Sequence, residues 1–172
     1  MFRLSSRCPT SVIAATLIAG LSLGSARAAN AQSPTPYGSP ITLEQANKLI
    51  AAAVVEANKN EWPVAIAVVD PAGYLVAFQR LDNTQLGSVE VAIEKAKSAA
   101  LFRRPTKVFE ETLALGGANL KLLKLPGGLP IEGGLPIVHD GKIIGAIGVS
   151  GVQSSEDGQI AAAGLADPPT KP

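Results

Sequence analysis

His139 is the only histidine in a sequence of 172 residues, and it lies beside Asp140 where the chain is predicted to turn. The one cysteine, Cys8, and the one methionine, Met1, both lie near the start of the chain. A metal site further along the chain would therefore depend on carboxylates, apart from this imidazole. The alternative for His139 is a solvated turn residue that binds no ligand.

Three arginines are candidates for binding an anion, namely Arg80, Arg103 and Arg104. A guanidinium group can hold a carboxylate through two parallel hydrogen bonds. Arg80 lies near Asp82 at the end of a predicted strand, so these two residues are also candidate catalytic groups for a small carboxylate or carbonyl compound. The alternative is that each arginine forms ordinary salt bridges within the chain or across a subunit interface.

Lys95 is the third catalytic candidate, because it falls on the alanine-rich face of a predicted helix. A charged group on such a face is costly unless it is paired. A buried lysine can act as a base or as a Schiff-base nucleophile. The alternative is that Lys95 pairs with a carboxylate or extends its amine to solvent.

Glycines recur along the last predicted strand, and Gly148, Ser150 and Gly151 form a candidate anion-binding loop before the last helix. Backbone N–H groups at the start of a helix favour anions. The alternative is a tight crossing between strand and helix. Beyond residue 31 the sequence contains no G-x-S-x-G motif, which a serine hydrolase of the nucleophile-elbow type would need.

Two β-hairpins are predicted from turn residues that separate β-prone runs. Asp140-Gly141 separates one pair of apolar runs, and Asp70-Pro71-Ala72-Gly73 separates the other. Both are typical turn sequences for antiparallel strands. Each pair of strands is therefore expected to lie side by side in one sheet.

Helical spacing of apolar residues predicts four helices, whose expected caps are Thr42 with Gln45, Ser88, Thr106, and Ser154 or Ser155. The order is then helix, two strands, two helices, two strands, helix. Hairpin-linked strands with helices packed on them predict a single α+β domain built on an antiparallel sheet.

The two ends of the chain are predicted to lie outside this domain. Residues 1–31 combine basic residues, an apolar run of about 13 residues and small-x-small cleavage motifs, which indicate a secretory signal peptide that is too short to span a bilayer. A flexible lead-in over 32–41, the domain over 42–166 and a disordered tail over 167–172 follow. Cleavage is expected to leave no membrane anchor.

Removal of the signal peptide changes the charge of the chain. Formal charge falls from +1 to −2, because 12 Lys and Arg residues then face 14 Asp and Glu residues. Aromatic residues do not alternate with basic ones, and no basic stripe remains. These features indicate that nucleic acid is not a partner.

Several motifs together resemble the GlcG/HbpS-like family, which includes secreted haem-binding members. They are the runs 63–73 (PVAIAVVDPAG), 78–82 (FQRLD), 93–99 (IEKAKSA), 102–107 (FRRPTK), 133–151 (GGLPIVHDGKIIGAIGVSG) and 157–164 (DGQIAAAG). The resemblance implies a profilin-like fold and association into dimers or larger assemblies. It also implies haem as a possible cofactor.

With haem as ligand, His139 is the candidate axial ligand to the iron, since imidazole is a common choice. Tyr74 is an alternative phenolate ligand, as is Tyr37 in the lead-in. Arg80, Arg103 and Arg104 are candidates for holding the propionates. No other metal is expected.

Three functions are consistent with these features. The first is an exported homo-oligomer, periplasmic or extracellular, that binds haem or a related tetrapyrrole for sequestration, transfer or redox sensing. The second is an enzyme acting on a small carboxylate or carbonyl compound, with Arg80 and either Asp82 or Lys95. The third is a non-catalytic accessory subunit that uses its glycine-rich hairpin for assembly.

Overall fold

The computed structural model describes residues 34–166. The predicted signal peptide, the first two residues of the lead-in and the predicted tail lie outside the described residues. Within them the chain forms nine elements in this order: α1 Leu43–Lys59, β1 Ala65–Val69, β2 Leu75–Arg80, α2 Ser88–Phe102, α3 Lys107–Ala114, a 3₁₀ helix Gly117–Lys124, β3 Gly134–His139, β4 Lys142–Ser150 and α4 Ser154–Gly164.

The four strands form one antiparallel sheet in the order β2-β1-β4-β3. Both predicted hairpins are present, and β1 joins them by pairing with β4. The predicted single α+β domain, with an antiparallel sheet flanked by helices in the profilin-like arrangement, is confirmed.

Helices cover both faces of the sheet. One face packs against α1 and α4 through a core that includes Ile66, Val68 and Ile147. The other face packs against the alanines of α2. Because every residue of β1 is buried, this strand is a continuous run of apolar residues without alternation.

Gly148 lies where β4 touches α2. A Cβ at this position would lie 2.2 Å from the carbonyl oxygen of Ala92 and 2.4 Å from the amide nitrogen of Ala96. These distances show that helix backbone occupies the space that a side chain would need. Close packing therefore explains one of the β4 glycines, Gly148, because its missing side chain leaves room for α2.

The lead-in differs from the expectation of a flexible segment over residues 34–41. Tyr37 forms a parallel bridge with Ile143, and backbone hydrogen bonds of 2.8 Å join Gly38 to Ile143 and Ile41 to Ile144. The Tyr37 hydroxyl also donates to the carbonyl oxygens of Ala100 and Leu101 at 3.0 Å. β1 ends before this part of β4, so the lead-in occupies the free edge there.

The predicted helix caps are correct at α1 and differ elsewhere. Thr42 and Gln45 form the expected capping box. Ser88 and Thr106 make no capping hydrogen bond. The Ser88 hydroxyl group is hydrogen-bonded to Ser150 instead. The Thr106 hydroxyl group accepts the Gly134 N–H at 2.9 Å. Gln153, not a serine, caps α4.

Replacing Gly148 with alanine is expected to destabilise the fold. The added Cβ meets backbone atoms of α2, which cannot rotate away, so we expect a loss of about 1–3 kcal/mol in the free energy of unfolding. Gly87→Ala is the matched control, since a Cβ there meets nothing within 4 Å, and it should cost less than about 1 kcal/mol. Urea denaturation measures both; equal stabilities would contradict the close-packing explanation.

Candidate functional site

His139 is the last residue of β3 and is followed by a tight turn. Asp140 and Gly141 have φ angles of 48° and 69°, which is the left-handed pair that a two-residue hairpin turn requires. Across the hairpin His139 pairs with Lys142, which is exposed. The turn therefore holds an imidazole and an ammonium group at one end of the sheet.

A cavity of about 370 Å³ opens beside His139. The imidazole is 26% exposed, and its Nε2 lies 3.6 Å from a carboxylate oxygen of Asp140, beyond hydrogen-bond distance. The lining combines two apolar residues, three uncharged polar residues, the histidine and one carboxylate: Ser39, Pro40, Thr42, Gln45, His139, Asp140 and Ile144. Such a cavity can take an apolar ligand and present one ring nitrogen to it.

Two local features build the walls of this cavity. The capping box at the start of α1 fixes Thr42 and Gln45. A bulge in the β3–β4 pairing leaves Ile144 between the pairs Ile137–Gly145 and Val138–Ile143. Bulges redirect side chains next to sites. The sequence predicted this capping box as the start of a helix, but it did not indicate that Thr42 and Gln45 lie close to His139.

The second cluster is a buried ion pair between Lys95 of α2 and Asp157 of α4. Nζ lies 2.7 Å from Oδ2, and the two side chains are 1% and 2% exposed. The other carboxylate oxygen accepts the Val152 N–H at 3.2 Å. Burial raises the pKa of Asp157, outweighing the opposite effects of Lys95 and the backbone N–H groups. The structure therefore contains one of the alternatives for Lys95, namely its pairing with a carboxylate.

The pair meets beside Gly133, immediately before β3. A Cβ on Gly133 would lie 2.9 Å from Nζ of Lys95 and 3.0 Å from Cβ of Asp157, and its φ is +126°. Gly134 faces the Lys95 backbone, where a Cβ would lie 2.3 Å from the carbonyl oxygen. Gly133 therefore leaves room for the two charged side chains, and Gly134 leaves room for the backbone of α2 at Lys95.

Three further polar side chains lie close to the ion pair. Ser88 Oγ accepts hydrogen bonds from Gln85 Nε2 at 2.9 Å and from Ser150 Oγ at 3.2 Å. They and the ion pair border a cavity of about 310 Å³, lined by Gln85, Gly87, Ser88, Val91, Lys95, Ile131, Ser150, Val152, Ser154 and Asp157. The sequence did not indicate that Lys95 meets Asp157 or that Ser88 meets Ser150, because 62 positions separate the residues of each pair.

The structure places Gly148 and Gly151 in close packing contacts and joins the Ser150 hydroxyl group to that of Ser88. Gly148 faces α2, and a Cβ on Gly151 would lie 2.3 Å from the Pro63 carbonyl oxygen. The next N–H groups, of Val152 and Gln153, donate to the carboxylates of Asp157 and Glu156. The chain's own carboxylates thus occupy these donors, and the alternative of a tight crossing describes this loop.

Arg103 and Arg104 are engaged within the chain. Arg103 lies 5.2 Å from the centre of the Tyr37 ring and donates to the Thr35 carbonyl oxygen at 3.5 Å. Arg104 lies 5.6 Å from the Phe109 ring and donates to the Phe102 carbonyl oxygen at 3.2 Å. Each guanidinium is therefore already held by an aromatic face and a backbone carbonyl.

Arg80, Asp82 and Tyr74 are not brought to the His139 cavity. Arg80 pairs with Ala65, which pairs with Ser150 at the far end of β4 from Lys142. The nine residues of β4 separate those ends by about 26 Å. Asp82 lines a separate surface groove with Trp62 and Pro63.

Tyr74 is 74% exposed and follows the β1–β2 turn. Its backbone N–H donates to Oδ1 of Asp70 at 2.9 Å, so the residue belongs to that turn. Among the described residues, no group of three His, Cys, Asp or Glu side chains is arranged to hold a metal ion. No helix within residues 34–166 is long and apolar enough to cross a membrane.

Comparison with known proteins gives consistent matches over this domain. A family model described as "Haem degrading protein HbpS-like" matches residues 41–166. Protein GlcG of Escherichia coli K12 is 43% identical over 110 residues, which are 64% of this chain and 81% of GlcG. The corrinoid adenosyltransferase PduO of Citrobacter freundii is 27% identical over 128 residues, only 38% of its length.

Two solved structures share the fold. The crystal structure of HbpS matches with a TM-score of 0.69 and 35% identity, covering 75% of this chain and 90% of HbpS. The structure of a PduOC–haem complex matches with a TM-score of 0.67 and 27% identity, covering 74% of this chain and 94% of PduOC.

Replacing Lys95 with methionine is expected to lower the free energy of unfolding by about 3–5 kcal/mol, because Asp157 is then a buried charge without its partner. Lys97→Met is the matched control on the same helix, since the Lys97–Glu94 pair is largely exposed, and it should cost less than about 1 kcal/mol.

Adding Asp157→Asn to the Lys95→Met variant should restore part of the loss, because the unpaired charge is removed while an amide oxygen can still accept the Val152 N–H. Chemical denaturation of the two single variants and the double variant measures the coupling. Strictly additive losses would show that the two charges do not stabilise one another.

Proposed function

This chain belongs to the HbpS-like family, and from that membership we propose that it is an exported, oligomeric protein that binds haem or a related tetrapyrrole. The observation that carries the proposal is the His139 cavity, which presents an imidazole at an opening with apolar walls. The solved PduOC–haem complex supports the choice of ligand, since the two chains share the fold.

The donor set at this cavity fits haem. A haem needs only one or two ligands from the protein, and imidazole is among the commonest. His139 would supply that ligand, with Pro40 and Ile144 as apolar contacts and Lys142 available for a propionate. When bound, haem would supply an iron centre capable of redox chemistry or ligand exchange.

Asp140 has a defined place in this proposal. Its carboxylate lies near Nε2 of His139 but not within hydrogen-bond distance. A carboxylate that hydrogen-bonds to a ligating histidine orients the ring and raises its basicity. A small rotation of either side chain would let Asp140 perform that role for the nitrogen that does not face the iron.

Exposed apolar side chains support the proposed oligomer. Leu43 follows Thr42 and Val138 precedes His139, and their exposed fractions are 58% and 46%. Elsewhere on the domain, Leu115, Leu120 and Leu123 are exposed on and before the 3₁₀ helix. Where such side chains form a contiguous patch, the patch marks contact with a ligand or another subunit. The role that we propose is sequestration, transfer or redox sensing.

Haem binding is expected to produce a saturable Soret shift that depends on His139. Titration of haem into the chain from Gln32 onwards, followed by absorbance, should show the shift in the unaltered protein and lose or strongly weaken it in His139→Ala. Tyr74→Phe is the matched control, because it removes the other candidate ligand at an exposed turn; it should leave the titration unchanged.

A shift kept in His139→Ala but lost in Tyr74→Phe would move the axial ligand to Tyr74. A saturable shift in both variants would assign binding to packing or to another residue. The absence of a saturable shift in the unaltered protein would contradict the proposal of haem binding itself.

Export is expected to remove the first residues of the chain. The motifs Ala26-Arg27-Ala28 and Ala29-Asn30-Ala31 predict cleavage after Ala28 or Ala31. N-terminal sequencing of the full chain recovered from the periplasm or medium of a bacterial host checks this. A protein that stays in the cytoplasm with residues 1–31 attached would contradict the export proposal.

A further inference from the structure

We propose that the cavity beside Lys95 is a second ligand site, one that binds a small monocarboxylate. This cavity of about 310 Å³ borders the Lys95–Asp157 pair and Ser150. Ser150 and Lys142 are the two ends of β4, so this site lies at the opposite end of the sheet from His139. The inference is therefore independent of haem binding.

Lys95 has unused hydrogen-bond donors at this cavity. An ammonium group carries three N–H bonds, and among the described residues Nζ of Lys95 donates to Asp157 alone. The side chain is 1% exposed. A buried ammonium with donors left over is costly unless an acceptor reaches it, so the cavity favours a ligand that brings acceptor oxygens.

Ser88 provides a second donor on the same wall. Its oxygen accepts a hydrogen bond from Gln85 and shares a second one with the Ser150 hydroxyl group. A hydrogen bond between two hydroxyl groups uses only one of their two protons, so one proton of this serine pair remains available for donation. Lys95 and Ser88 lie on one helix and both line the cavity, so two donors converge there.

Apolar side chains also border this cavity. Val91, Ile131 and Val152 are part of its lining. A carboxylate offers two acceptor oxygens for the two donors and adds a negative charge next to Lys95, while a short alkyl group can contact apolar side chains. The volume of about 310 Å³ has room for a ligand of this kind.

Propanoate is the probe that tests this site. Titration of sodium propanoate into the ¹⁵N-labelled protein should give saturable shifts of the amide signals of Ser88, Ser150 and Val152. Propanamide, which is neutral and nearly the same shape, should bind at least about tenfold more weakly, because it lacks the charge that pairs with Lys95.

Three variants test the location of the binding without removing the ion pair. Val91→Phe fills the cavity and should abolish the shifts, whereas Val55→Phe makes the same change at a position 68% exposed on α1 and should leave them intact. Ser88→Ala removes one donor and should weaken binding about tenfold.

Several results would overturn the proposal. These are propanoate binding that is equal in Val91→Phe, propanamide binding as tight as propanoate, or no saturable shift of those amides in the unaltered protein. The last result would mean that water alone satisfies the donors of Lys95 and Ser88.

Discussion

The buried ion pair between Lys95 and Asp157 constrains more of this structure than any other contact. Removing two charges from water is costly, and the cost is offset only when both partners keep their geometry. Lys95 comes from the helix on one face of the sheet, and Asp157 comes from a helix on the other face. The pair therefore fixes the two helical layers relative to each other, at the point where β3 begins.

This constraint explains the composition of the chain around it. A Cβ on Gly133 would meet both side chains of the pair, and α2 lies close to the sheet where Gly134 and Gly148 lack a Cβ. The alanines of α2 complete the same close contact. A core built on such short distances has little space for large rings, in keeping with an aromatic content of 4%.

The parts of the fold that were predictable from the sequence are those with local causes. The two hairpins follow from their turn residues, and the start of α1 follows from a capping box between residues three positions apart. Ser88 and Thr106 stand at the expected helix starts, yet their hydroxyl groups contact residues 62 and 28 positions away. The need of Lys95 for a partner was predictable from its helical face, whereas the identity of Asp157 depended on the topology of the sheet. Spacing alone also could not show that Arg80 and His139 lie at opposite ends of that sheet.

The separation of the two cavities follows from the same topology. β4 pairs with β3 on one side and with β1 on the other, and its first and last residues lie beside different cavities. The His139 end is a turn with an exposed edge, where an imidazole and apolar side chains reach the surface. At the Ser150 end, α2 and α4 bury a cation and its counter-ion beside an open cavity. The two ends therefore differ in their chemistry: an imidazole suits a ligand with a metal centre, and a buried ammonium group suits a ligand with acceptor oxygens. Because eight of the nine residues of β4 are buried between helices, a ligand at one end can influence the other only through movement of the whole strand and the layers packed on it.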